Sequence, residues 1–159
     1  MIPRAPGIAS VPTRDRPATA CACGRLRRAA RALTQLYDDL MAPSGLRVTQ
    51  FSLLRTLARR GPMRISALAD DALLDRTALS RNLDPLVARH FVEIAPGRDA
   101  RTREVHLTAA GQSALDAAGP YWKQAQAEVT RRVGAQRLDM LIGVLEEIES
   151  LHPGSQPTA

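Results

Sequence analysis

The sequence predicts a mostly α-helical fold with one small β-hairpin, and three observations predict it. Apolar residues recur at helical spacing on both sides of the middle of the chain. Between these flanks, residues 65 to 90 hold two short amphipathic stretches in tandem. Directly after them, two strand-like runs, FVEIAP and REVHLT, bracket the charged turn GRDART, which is the composition of a hairpin. Helix, helix, hairpin is the order of a winged helix-turn-helix domain, here flanked by N- and C-terminal helices suited to dimerisation.

Composition narrows the partners. The 159 residues are 45% apolar, enough for one packed core. No apolar run approaches the roughly 20 residues of a membrane span. The N-terminus MIPRAPGIASVPTRDRP has no apolar stretch of the secretory kind, so a cytoplasmic location without a membrane partner is expected. Lys and Arg number 22 against 16 Asp and Glu, a net charge of +6, and every basic residue but Lys123 is Arg. Arg matches phosphate and guanine better than Lys does. Eleven Arg against seven acids lie between Arg47 and Ala110, whereas LDMLIGVLEEIES carries four acids and no base. A charge serving only solubility has no need of such placement.

The elements follow in order. Residues 1–18 contain four Pro and no apolar period, so they read as a flexible arm. Residues 19–44 form the N-terminal helix, with Leu26, Ala30, Leu33, Tyr37 and Leu40 on one stripe and Arg25, Arg28, Arg31 and Gln35 opposite. Pro43, Ser44 and Gly45 close it. Residues 46–110 form the winged helix-turn-helix domain. Its first helix has Thr49 as the expected cap and Phe51, Leu54, Leu57 and Ala58 as the buried face, ending at Gly61 and Pro62. A short helix over 66–74 turns Ile65, Leu68 and Ala69 inward.

Asp75 is placed to cap the next helix. There Leu79, Leu83, Leu86 and Val87 face inward, leaving Arg76, Thr77, Ser80 and Arg81 outward near the N-terminal end. A merely solvated helix face favours Glu and Lys; short hydroxyls with Arg suit base edges and phosphates. Pro85 predicts a kink. In the hairpin, or wing, Arg98 and Arg101 sit at or near the tip, where a guanidinium can enter the minor groove, and Asp99 orients an Arg. Thr108 starts a helix running to about Arg132, which Gly119 and Pro120 should bend. After Gly134, Leu138, Leu141, Leu145 and Ile148 recur at helical spacing. Residues 111–152 thus hold the C-terminal dimerisation helices, and 153–159 a flexible tail. Packing the first helix and the last two between two copies gives a homodimer with two reading helices on one double-stranded DNA operator.

Enzymatic chemistry finds no support. His90 and His106 lack Cys or carboxylate partners at metal-ligand spacing, and there is no Gly-rich phosphate loop, nucleophile elbow or paired-carboxylate constellation. No catalytic residue, metal or cofactor is expected. A winged-helix protein-interaction module is a remote alternative, since the outward face of the second helix lacks large apolar anchors.

The residues also resemble a known family. The stretch RLRRAARALTQLYDDLMAPSGLRVTQFSLL, the helix DRTALSRNLDPL, and Asp99-x-Arg101 followed by VHLTAAG are together similar to the MarR family of transcriptional regulators, from about Cys21 to Leu151. The resemblance implies an obligate homodimer of triangular outline, interlocked terminal helices and a pseudo-palindromic operator, usually repressed. It implies that the wing Arg reaches the minor groove and that Asp99 braces the wing, and it makes Pro85 ordinary. Where many members have a Glu, a Gly and an aliphatic residue, this chain reads VARHF, which predicts a tighter or less regular turn.

Members are often released by small phenolic or aromatic-acid effectors. Tyr37, Phe51, Arg55 and Trp122 are the candidate pocket residues, although the same types serve as plain core. Some members sense peroxide near the start of the first helix, where Cys21 and Cys23 lie. Their position at a helix N-terminus near Arg25, Arg27 and Arg28 favours thiolates, but a one-residue gap is poor disulfide geometry.

Overall fold

Several boundaries along the chain have a local cause. The structure, a computed structural model, describes residues 21–97, 99 and 101–152. The expected arm over 1–18, the tail over 153–159, and Arg98 lie outside these residues. The elements are α1 (Ala22–Met41), a 3₁₀ turn (Ala42–Ser44), α2 (Val48–Arg60), β1 (Met63–Arg64), α3 (Ile65–Asp71), α4 (Arg76–Ala88), β2 (Val92–Pro96), β3 (Arg103–Leu107), α5 (Ala109–Val133) and α6 (Ala135–Glu149).

Two units divide the chain, residues 1–33 and 34–159. In the first, the described residues belong almost wholly to α1; Leu26 is half-buried while Ala30 and Leu33 are exposed. In the second, α1 ends on buried Met41. Pro43 lies in the 3₁₀ turn, Gly45 takes a left-handed φ of 69°, and the Ser44 hydroxyl donates to the Met41 carbonyl.

The start of α2 differs from expectation. Thr49 lies inside the first turn and caps nothing, because the cap comes from another helix: the Val48 N–H donates to Asp38 Oδ1 of α1 at 2.8 Å. Gln50 Oε1 accepts the Arg47 N–H at 3.1 Å, closing the same turn from within. The buried face also differs. Phe51, Leu53, Leu54 and Leu57 are buried and Ala58 is exposed, because α2 packs against α5 as well as against α4 and β3. A helix covered on two sides buries a wider arc than a single stripe.

The sheet has three antiparallel strands in the order β1-β3-β2, where the sequence predicts a hairpin alone. The hairpin pairs Val92 with Leu107 and Ile94 with Val105, and β1 adds Met63 opposite Val105 and Arg64 opposite Glu104. Two residues carry no readable alternation, so β1 left no signal.

α3 buries Leu68 and Ala69. Asp75 caps α4, its Oδ1 accepting the Ala78 N–H at 2.7 Å. Leu79, Leu83 and Leu86 are buried and Val87 half-buried, and α4 runs unbroken through Pro85. Thr108 caps α5 by accepting the Gly111 N–H at 3.0 Å, and α5 continues past Gly119 and Pro120 to Val133. Met41, Leu54, Leu57, Leu68, Leu79, Leu86, Val92 and Val105 make the fully buried centre. No residue of α6 is buried; Met140, Leu141, Ile142, Val144 and Ile148 are all exposed. No helix among the described residues is long and apolar enough to cross a membrane.

Candidate nucleic-acid interface

The outward face of α4 follows from its inward one. With Leu79, Leu83 and Leu86 in the core, a 3.6-residue period turns Arg76, Thr77, Ser80 and Arg81 to solvent, and all four are exposed. Asn82, one position further, is held back: its amide donates to the Ala78 carbonyl. The four therefore form the free polar surface at the N-terminal end of the helix.

The hairpin turn is tied by Asp99. Its Oδ1 accepts the Arg101 N–H at 3.0 Å, and its carbonyl accepts both the N–H and the hydroxyl of Thr102. Gly97 N–H closes the turn onto the Thr102 carbonyl at 2.9 Å. Asp99 thus holds Arg101 through the main chain, leaving the exposed Arg101 guanidinium for other partners.

Between the start of α4 and the hairpin lies an open cleft of about 360 Å³, lined by Arg64, Ile65, Ser66, Arg76, Arg101, Thr102 and Arg103. It brings together Arg76 and Arg101, which the sequence singles out from different elements. Arg64 and Arg103 were missed. Arg64 follows Gly61 and Pro62 in what reads as a turn, and only its place in β1, beside β3, carries it to the cleft.

The four candidate pocket residues fall into two groups. Phe51 stacks on Trp122 with centroids 5.8 Å apart and an 18° interplanar angle, and the Arg55 guanidinium lies 4.7 Å over the Trp122 ring. These three occupy one another's space between α2 and α5. Tyr37 donates its hydroxyl to the Gln126 side-chain carbonyl, and burial pushes the phenol's pKa up. A cleft of about 290 Å³ beside it is lined by Leu36, Leu40, Gln124, Ala127, Glu128, Arg131 and Arg132, and includes none of the four. Hydrogen bonds from Arg131 and Arg132 hold the Glu128 carboxyl well below its usual range, at about 2.

Cys21 and Cys23 are exposed and unbridged, one just before α1 and one in its first turn. Among the described residues no three His, Cys, Asp or Glu gather as a metal site.

A short polar helix end and an Arg-bearing hairpin that face one cleft define a winged-helix regulator of the DNA-binding class. The sequence profile of the MarR family matches residues 46–100. The transcriptional regulator MosR of M. tuberculosis is 38% identical, with 84% of this chain and 98% of that one covered and a TM-score of 0.71. In a second structure, in complex with DNA, it is 41% identical over 83% and 98% of the two chains, again with a TM-score of 0.71. The C80S mutant of MarR from E. coli, complexed with operator DNA, shares the fold at 24% identity, 79% and 91% coverage and a TM-score of 0.70. Among curated proteins nothing matches. The chain belongs to the MarR family of DNA-binding transcriptional regulators, which are not enzymes.

Proposed function

We propose that this protein is a cytoplasmic repressor that binds a pseudo-palindromic operator as a homodimer and is released by a small aromatic or phenolic acid. The observation that carries the reading is the convergence of Arg76 from α4 and Arg101 from the wing on one cleft, with Thr77, Ser80 and Arg81 exposed beside them. Short hydroxyls let the helix approach base edges closely, and a guanidinium can donate two parallel bonds to guanine O6 and N7. The α4 end enters the major groove, and Arg101 reaches the adjacent minor groove, whose narrow A·T-rich form attracts Arg. The relation to MosR, crystallised with DNA, supports the same partner.

One α4 reads half an operator. Two copies must hold their reading helices about 34 Å apart to occupy successive major grooves, and the exposed apolar side chains of α6 favour the contact that joins them. A ligand that changes this spacing weakens the grip, and a difference of about 1 to 3 kcal/mol between the two dimer shapes gives roughly a 5- to 150-fold effect. The cleft of about 290 Å³ supports such a ligand: Leu36, Leu40 and Ala127 offer apolar contact, and the guanidinium donors of Arg131 and Arg132 that Glu128 leaves unused can meet its polar groups.

The test is selection of bound duplexes from a random pool. The selected sequences should converge on an inverted repeat with half-sites about one turn apart, carry two protomers, and lose them on addition of hydroxybenzoates. A pool that never converges would contradict the reading.

A second trigger is favoured by the exposure of both Cys21 and Cys23 at the start of α1. Hydrogen peroxide would oxidise one thiolate to a sulfenic acid, with the second peroxide oxygen leaving as hydroxide. Replacing both with Ser should abolish any loss of operator binding under peroxide; an unchanged response in that variant excludes the thiols.

A further inference from the structure

We propose that Arg64 and Arg103 grip the DNA backbone between the two grooves, as a phosphate clamp distinct from the residues that read bases. The inference rests on the reading of α4 and the wing as groove contacts. In a duplex, neighbouring major and minor grooves are separated by a single sugar-phosphate strand. A protein that places a helix in one and a hairpin in the other must therefore straddle that strand. The space between helix and hairpin is where the phosphates pass.

In this molecule that space is the cleft of about 360 Å³, lined by Arg76 of α4, Arg101 of the hairpin turn, Arg103 at the start of the hairpin strand β3 and Arg64 of the neighbouring strand β1. Four Arg residues lining one open cleft give it a positive field that attracts an anion. Among the described residues no carboxylate pairs with any of the four, whereas Arg60 pairs with Asp71, and Arg131 and Arg132 with Glu128. Glu104 stands opposite Arg64 in the β1–β3 register, yet the basic side chain found within 4.0 Å of its carboxylate is the His106 ring, with Nε2 at 3.8 Å. The Arg103 guanidinium makes one long bond of 3.5 Å to the Ile94 carbonyl, which leaves most of its donors free. Ser66, exposed at the same wall, adds a hydroxyl donor. Phosphate contacts of this kind fix register on the duplex and carry no sequence information.

The experiment measures binding of wild type, Arg64→Ala, Arg103→Ala and the double variant to the pool-selected duplex and to a random-sequence duplex of equal length, across salt concentrations. Thermal melting confirms that each variant folds, and Arg64→Gln and Arg103→Gln serve where an Ala variant does not. Each substitution removes one phosphate contact per protomer, two per bound dimer, and should reduce the steepness of log K against log salt by about 1.8. It should weaken both duplexes by the same factor and leave base preference unchanged. A methylphosphonate placed at the backbone position between the grooves should weaken wild type but not the double variant. Folded variants that keep the wild-type slope, or that lose preference at a particular base, overturn the clamp while leaving the operator reading intact. A wild-type chain that binds neither duplex overturns both.

Discussion

His90 holds a φ of 55° at the turn from α4 into β2, a left-handed conformation in a residue with a Cβ. It sits in the VARHF segment, and its backbone is fixed on both sides: its N–H donates to the Val87 carbonyl and its carbonyl accepts the Thr108 hydroxyl at 2.6 Å. The strain is offset by those bonds, and the side chain itself is exposed. Glycine adopts this φ without the steric penalty of about 1 to 2 kcal/mol but has more freedom to lose on folding. His90→Gly should therefore stabilise the protein by about 1 kcal/mol, seen as a Tm about 2 to 4 °C higher; an unchanged or lower Tm would contradict this. At the same scale, Arg76, Thr77, Ser80 and Arg81 were legible because an Asp75 cap and a Leu period fix which way a helix faces. Arg64 and Arg103 were not. Their proximity depends on pairing between β1 and β3, which lie about forty residues apart in the chain, and no local pattern encodes that.

At the scale of elements, the wing is anchored where α5 begins. Thr108 accepts the Gly111 N–H and donates its hydroxyl to the carbonyl of His90, so one side chain joins α5 to the turn before β2. Gly111 then packs directly on the Phe91 carbonyl, and a Cβ there would overlap that backbone atom. Backbone cannot swing aside as a side-chain tip does. Gly111→Ala should cost about 1 to 3 kcal/mol or more, measured as a lower Tm, with wing contacts to DNA weakened in parallel; a stability equal to wild type would mean α5 can shift freely. The sequence allowed Thr108 to be read as a cap, because a hydroxyl before a helical run is a local signal. It misled at Thr49 for the converse reason: α2 takes its cap from Asp38, ten residues away in another helix. Caps supplied across elements have no local signature.

Across the whole molecule, helix types and order follow from periodicity, while the use of the terminal helices depends on a second chain. α6 has apolar residues all along it and buries none, with Met140 54%, Ile142 42% and Val144 51% exposed. Such a surface on a helix that follows the domain is suited to a twofold contact. Truncation after Gly134 should leave a folded monomer by sedimentation, with operator affinity reduced to that of a single reading helix; a dimeric truncated chain would place the contact elsewhere. The central claim, however, is that α4 reads sequence. It is tested most directly by comparing the duplexes selected from one random pool by wild type and by Arg81→Ala. The account predicts the same inverted repeat for both, with preference relaxed at one position in each half-site and affinity lower by about 1 to 3 kcal/mol per half-site. A variant that weakens equally on every sequence, its preferences intact, would show that Arg81 touches phosphate and would contradict the claim.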